Sequence, residues 1–330
     1  MNEIFSPEGF AGGQIVREPV GFEPGYWAGA PGFFYDKVEK AFYLTYRLRR
    51  PRGVSPDRGG EARIARSTDL KHFEDIWSVT KDQYESASIE RSAIYKGRNG
   101  QCHYFTSYVD PMDGRWCVAQ IKSGEIANLD PKKVERVFSA APLGLEGIKD
   151  PWIYEENGVY YMFLSVAVAT PKTRKESHDT LDIFNTGECV SATGLATSTD
   201  LNSWEWQGII LKPGESGWDR YCRRINSVLK LDGKYFAFYD GSASEAENYE
   251  EKAANAVSSD LRAWRTLTPE APFWTSPNHS KSVRYMDAQI LDGVVYLFYE
   301  FARHDGAHDL RLVRAEPDNF ATLLKLLAKR

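Results

Sequence analysis

Five times along this 330-residue chain, a short apolar run is followed by a turn and then by a strand rich in aromatic residues. The runs open at Ala30, Arg91, Asp150, Asn226 and Asp287, and the strands after them cover 41–47, 102–108, 159–166, 235–240 and 295–301. Gly100, Gly158, Gly233 and Gly293 mark the turn in four of the five copies. A third piece repeats as Ser67-Thr68-Asp69-Leu70, Ser198-Thr199-Asp200-Leu201 and Ser258-Ser259-Asp260-Leu261, trailed by Phe73, Trp204 and Trp264. Small polar side chains that bond the backbone end a strand there, and the aromatic residue then packs between sheets. Spacings of 61, 59, 76 and 61 residues between openings, with about four strands per copy, predict propeller blades rather than a β-sandwich. The expected architecture is all-β: a five-bladed β-propeller forming a single domain over residues 1–330. A strand near 14–19 is expected to close the last blade, with helix confined to 319–329 and the long loops.

Composition narrows the function classes. Aromatic residues make up 13% of the chain, with nine Trp, which suits stacked sheets and carbohydrate faces alike. The net charge of −5 comes without a basic block, so nucleic acid is not an expected partner. No stretch has the length and apolarity of a membrane span or a signal peptide. The chain as written therefore reads as cytoplasmic, unless a leader has been removed. Four Cys and six His show no zinc spacing. Cys102 and Cys117 flank a hairpin turn, where they either face each other or serve as small buried hydrophobes in a reducing compartment. No metal or other cofactor is called for, an axial ion is left open, and the oligomeric state is not legible.

In a propeller, the loops that lead into the inner strands share a face with those joining the second and third strands. The latter are long here, at 47–61, 166–187, 240–252 and 303–309, which predicts a walled pocket on that face. In sequence register, the positions at the axis are Ala30, Arg91, Asp150, Asn226 and Asp287, preceded by Gly29, Glu90, Lys149, Ile225 and Met286. Charged side chains crowded on an axis are costly unless paired or solvated. Glu90, Arg91, Lys149, Asp150 and Asp287, with Arg223 and Arg224 nearby, thus suggest either a polar binding site or a ring of ion pairs.

The inner-strand Asp150-Pro151-Trp152-Ile153 and the Ser-Thr-Asp-Leu-x-x-Trp blade ends resemble the five-bladed glycoside hydrolases of family 43, with relatives in families 32, 62, 117 and 130. The resemblance covers nearly the whole chain. It implies a glycoside hydrolase acting on a small-molecule or oligosaccharide substrate of plant or microbial origin. In family 43 an Asp opening blade one is the general base, an Asp opening blade three tunes and orients, and a Glu opening blade four is the acid. Lys149-Asp150-Pro151 matches the blade-three residue. Blade one carries Gly29-Ala30-Pro31 and blade four carries Arg224-Ile225-Asn226-Ser227, so the usual base and acid are missing from their places.

Glycosidic cleavage needs two carboxyl groups, about 5–5.5 Å apart for retention and about 6.5–9.5 Å apart for inversion. Asp150 is the leading candidate, with Glu188, Glu90 or Asp287 as its partner. Glu188 ends the longest loop, and its Glu188-Cys189 pair resembles the Glu-Cys of family 32. A structural salt bridge to Arg91 or Arg224 is an equal reading for each of the three. Arg91, Arg224, Asn226, Trp27 and Trp152 are the expected substrate-binding residues, the two Trp by stacking on a sugar ring. The loop arginines Arg47, Arg49, Arg50 and Arg52 suit a carboxylate, sulfate or phosphate. A phosphate-dependent phosphorylase, or a sugar-binding propeller without catalysis, are the alternatives that the missing base and acid leave open.

Overall fold

The computed structural model describes residues 11–328. Strand β1 (Gln14–Arg17) precedes five antiparallel meanders. The first is β2 (Trp27–Asp36), β3 (Ala41–Arg50), β4 (Arg58–Ser67) and β5 (Glu74–Thr80). The second is β6 (Ala93–Lys96), β7 (Cys102–Val109), β8 (Trp116–Ser123) and β9 (Glu135–Phe138). β10 (Gly147–Glu156), β11 (Val159–Ala169), β12 (Cys189–Ser198) and β13 (Glu205–Leu211) form the third. β14 (Cys222–Leu231), β15 (Lys234–Ser242), β16 (Lys252–Ser258) and β17 (Arg265–Thr266) form the fourth. In the fifth, β18 (Val283–Leu291), β19 (Val294–Ala302) and β20 (His308–Ala315) take β1 as their outer strand. The first strands touch in the cycle β2, β6, β10, β14, β18 and back to β2, so they surround one axis.

Local chemistry explains each repeat. Asn157-Gly158, Asp232-Gly233 and Asp292-Gly293 join first to second strands, and all six residues have positive φ. That is the two-residue hairpin geometry which Asn, Asp and Gly adopt at low cost. At the third-strand ends, Ser67 and Ser198 accept the N–H groups of Leu70 and Leu201 at 2.9 Å. Asp69, Asp200 and Asp260 each accept two further N–H groups. The trailing aromatic then reaches the meander before its own. Phe73 meets Phe298, Trp204 meets Phe105 and Trp264 meets Phe163, all edge-on. One sequence motif thus both ends a strand and seals the joint between neighbours.

The core lies between the sheets, as where Leu229, Phe236 and Phe238 pack with Val295, Leu297 and Tyr299. Helix α1 (Pro317–Ala328) adds Phe320 against Trp274 and Phe238; residue 329 of the expected helix lies outside the described residues. All four cysteines are free and buried. Cys102 pairs with Ser123 and Cys117 with Tyr108, so the two sit at opposite ends of their hairpin and do not face each other. Among the described residues, no helix is long and apolar enough to cross a membrane.

Candidate active site

Four of the five first strands are interrupted near their start, where two residues stand opposite one on the second strand. The pairs are Ala30-Pro31, Asp150-Pro151, Ile225-Asn226 and Tyr285-Met286. Ala30, Asp150 and Tyr285 are left-handed there, with φ of 52°, 57° and 52°. A bulge frees a backbone N–H, and the preceding meander supplies its acceptor. Ala30 donates to Glu300, Asp150 to Ser107, Ile225 to Thr193 and Tyr285 to Asp240.

This pairing corrects the sequence register. Ile225 and Tyr285, not Asn226 and Asp287, stand level with Asp150. The hairpin turns carried the signal: Asp150, Ile225 and Tyr285 each lie eight residues before the turn glycine. Seven residues after that glycine stand Ser107, Ser165, Asp240 and Glu300. Asp240 and Glu300 were therefore legible as axial carboxylates but were missed, as were Tyr285 and Glu251.

Around the axis, at the end carrying the long loops, charged groups form two chains. In one, Arg224 and Arg284 share Glu251, Arg284 reaches Glu300 at 2.6 Å, and His308 links Glu300 to Glu250 at 2.7 and 2.8 Å. In the other, Arg47 binds Glu90, while Lys149 Nζ lies 3.7 Å from both Glu90 Oε1 and Asp150 Oδ2. Those two carboxylate oxygens are thus at most twice that distance apart, below the upper limit of about 9.5 Å for a carboxyl pair working on one glycosidic bond. Lys149 is itself held against the rings of Trp116 and Phe184.

Asp150 is the exception in this network. It is 2% exposed, and among the described residues neither carboxylate oxygen has a hydrogen-bond partner. Glu90, by contrast, is secured: burial would raise its carboxyl, yet Arg47 and Lys149 hold it well below the usual carboxylate range. Burial pushes Asp240 up to about 6 despite Arg224. One carboxyl that keeps its proton up to about pH 6 therefore stands near Glu90 and Glu300, which are ionised.

Several expected site residues lie elsewhere. Arg91 runs across the axis as a structural tie. It donates to the carbonyls of Pro31 and Asn226 at 2.8 Å and stands 3.5 Å from Asp287. Asp287 is fully buried, accepting from Phe33 N at 2.7 Å and Trp152 Nε1 at 3.0 Å. Trp152 therefore points away from the charged end. Trp27 is 3% exposed and crowded by His308, Arg49 and Arg284, with no face free for a sugar. Asn226 sits beside Asp240. Glu188 is on the rim, bonded to Arg174 and Ser177. Glu188→Gln should change turnover by less than about threefold, measured as kcat/KM on whichever sugar the protein cleaves.

Loop length had placed the roomy pocket on the loop side. A cavity of about 350 Å³ also opens at the other end of the axis, lined by Phe34, Tyr95, Trp152, Tyr154 and Asp287. On the loop side a cavity of about 390 Å³ lies at the rim among Arg52, Arg174, Asp182 and Glu188, beside the charged side chains that crowd the axis. Asp182 joins three loops there, accepting from Arg52 at 2.7 Å and from the Tyr249 hydroxyl at 2.5 Å. No group of three or more His, Cys, Asp and Glu side chains among the described residues is placed to hold a metal ion.

No family model matches the chain, and no curated protein matches its sequence. Solved structures do match in shape. A thermostable family-43 glycoside hydrolase superposes with a TM-score of 0.61 at 13% identity, over 87% of this chain and 89% of that one. The β-1,2-mannobiose phosphorylase from Listeria innocua gives 0.62 at 14% identity, over 94% and 95%. The endo-arabinase from Bacteroides thetaiotaomicron gives 0.59 at 15% identity, over 90% and 97%. At such low identity the likeness speaks to shape alone: the chain has the all-β propeller fold of the family-43 glycoside hydrolases and their relatives.

Proposed function

We propose that the chain is a glycoside hydrolase, a single-domain five-bladed propeller that cleaves an oligosaccharide at the charged end of its axis. The observation that carries this is Asp150, a buried carboxylate held on a left-handed bulge with no hydrogen-bond donor for either oxygen among the described residues. Burying such a group without a hydrogen bond costs free energy unless a ligand or reaction completes its surroundings. Asp150 is the carboxylate that acts at the anomeric carbon, directly or through water. Glu90, ionised beside Arg47 and Lys149, stabilises positive charge developing on the sugar ring. Asp240 is the proton donor to the leaving oxygen, because burial keeps its proton in place where an ordinary Asp has lost it.

The donor role has a pH signature. Turnover requires protonated Asp240, so kcat/KM should fall as pH rises through about 6. Asp240→Asn should lower the rate and remove that limb. The sign for stability is the same: a carboxyl raised on folding contributes below its unfolded pKa and loses that contribution as pH rises through about 6. A pH–rate profile flat from 5 to 8 would rule out Asp240 as the donor.

A second reading is phosphorolysis. Ala30 leaves the first bulge without a carboxylate, and Arg47, Lys149, Arg224 and Arg284 bring four cations to the same end of the axis. Phosphate held there would be the nucleophile and need a single acid. Screening aryl glycosides and oligosaccharides with and without phosphate separates the readings. Cleavage without phosphate supports hydrolysis, strict phosphate dependence supports phosphorolysis, and binding with no cleavage across a broad panel leaves a sugar-binding propeller.

A further inference from the structure

Arg49 is a buried guanidinium to which the described residues offer no carboxylate. It lies on β3 two residues beyond Arg47 and is 7% exposed. Its side chain makes one hydrogen bond among the described residues, from Nη1 to the Gly25 carbonyl at 3.2 Å. The rest of the group lies against rings, 4.0 Å from the centroid of Trp27 and 5.1 Å from that of Tyr249.

The other buried cations nearby all have carboxylates. Arg47 has Glu90, Lys149 has Glu90 and Asp150, Arg224 has Glu251, and Arg284 has Glu251 and Glu300. Glu90, the acid nearest in charge to Arg49, is committed to Arg47. Burial, and then repulsion from Arg47, push Arg49 down to about 10. A cation held in this state is stabilised by any anion that arrives with a ligand, and a guanidinium pairs best with a planar carboxylate. Its position suits that role. Tyr249 bridges from Arg49 to Asp182 and Arg52 at the rim cavity, while Glu90 lies on the axial side.

We propose that the oligosaccharide cleaved at this axis is anionic, a uronic-acid-type sugar whose carboxylate is bound by Arg49 between Trp27 and Tyr249. This rests on the glycosidase reading above. Trp27 then serves as the platform for the guanidinium and not for the sugar ring.

The test is calorimetric titration of the Asp150→Asn protein with uronic-acid oligosaccharides from pectin, glucuronoxylan and alginate. Each is compared with its own carboxyl-reduced form. At least one acidic oligosaccharide should bind roughly tenfold or more tightly than its reduced counterpart. Adding Arg49→Gln should abolish that preference and leave the affinity for the reduced form unchanged, whereas Arg49→Lys should retain part of it. Arg49→Gln removes an unpaired buried charge, so its Tm should not fall; an unfolded variant would mean that Arg49 serves the fold and would overturn the proposal. Equal affinity for acidic and reduced forms would also overturn it. If the unmodified protein then cleaves neutral oligosaccharides, the glycosidase reading stands and only the role of Arg49 falls. If it neither binds nor cleaves either form, both fall. Tight binding of inorganic phosphate that depends on Arg49 would assign the anion to a co-substrate and overturn the proposal in favour of phosphorolysis.

Discussion

Asp150→Asn should lower turnover by roughly 10²–10⁴-fold while leaving the folded protein intact. The substitution keeps the shape and the backbone N–H that donates to Ser107 at 3.1 Å. It removes a charge whose closest cationic contact is Lys149 at 3.7 Å, too long for a good hydrogen bond. Stability should therefore hold or rise, since an unpartnered buried carboxylate costs more than a neutral amide of the same size. Loss of rate together with an unchanged or higher Tm is what separates a catalytic carboxylate from a structural one. If turnover survives, or if Tm drops by many degrees, Asp150 belongs to the scaffold and the proposed chemistry loses its centre. The sugar panel described above provides the substrate for this measurement.

Arg91→Met should destabilise the fold by about 3–5 kcal/mol, read as a lowered urea midpoint with an unchanged m-value. Arg91 is 1% exposed and ties three first strands together across the axis. Methionine fills much of the same volume but leaves the Pro31 and Asn226 carbonyls without donors and Asp287 without its cation. Burial already raises Asp287, so part of the cost is relieved by its taking up a proton. Destabilisation should therefore be milder in acid than at neutral pH. Combining Arg91→Met with Asp287→Asn should recover part of the loss, because the second change removes the stranded charge. A cost below about 1 kcal/mol would place this pair with weak surface bridges and refute the axial tie. A raised KM with unchanged stability would instead return Arg91 to substrate binding.

The contrast between these two residues shows how far the chain could be read in one dimension. Asp150 was singled out because Asp-Pro opens an apolar run and matches the blade-three residue of the family that the chain resembles. The Ser-x-Asp-Leu turns and their trailing aromatics were equally legible, because they act through bonds within three residues and one ring contact with a neighbouring sheet. Local chemistry of this kind is written in contiguous residues. The β1 closure was legible too, since residues remained before the first repeat and an edge was left to cover.

What the sequence could not decide is which way each charged side chain points once five strands meet. Counting back from the turn glycines puts Ile225 and Tyr285 level with Asp150 and Asp287 in a lower layer, but it does not say which partner each side chain meets. A slip of one residue exchanges faces and a slip of two changes depth along the axis. Glu90, Asp287 and Glu188 therefore looked interchangeable as partners but occupy the axis end, the interior and the rim. The division of ion pairs was equally hidden. That Arg47 takes Glu90, that Arg224 and Arg284 share Glu251, and that Asp150 and Arg49 are left over depends on distances between residues far apart in the chain. The sequence by itself determined the repeats, the turns and the presence of charge on the axis. Only the tertiary structure decided which charges are satisfied, because pairing depends on a few ångströms set by all five sheets at once.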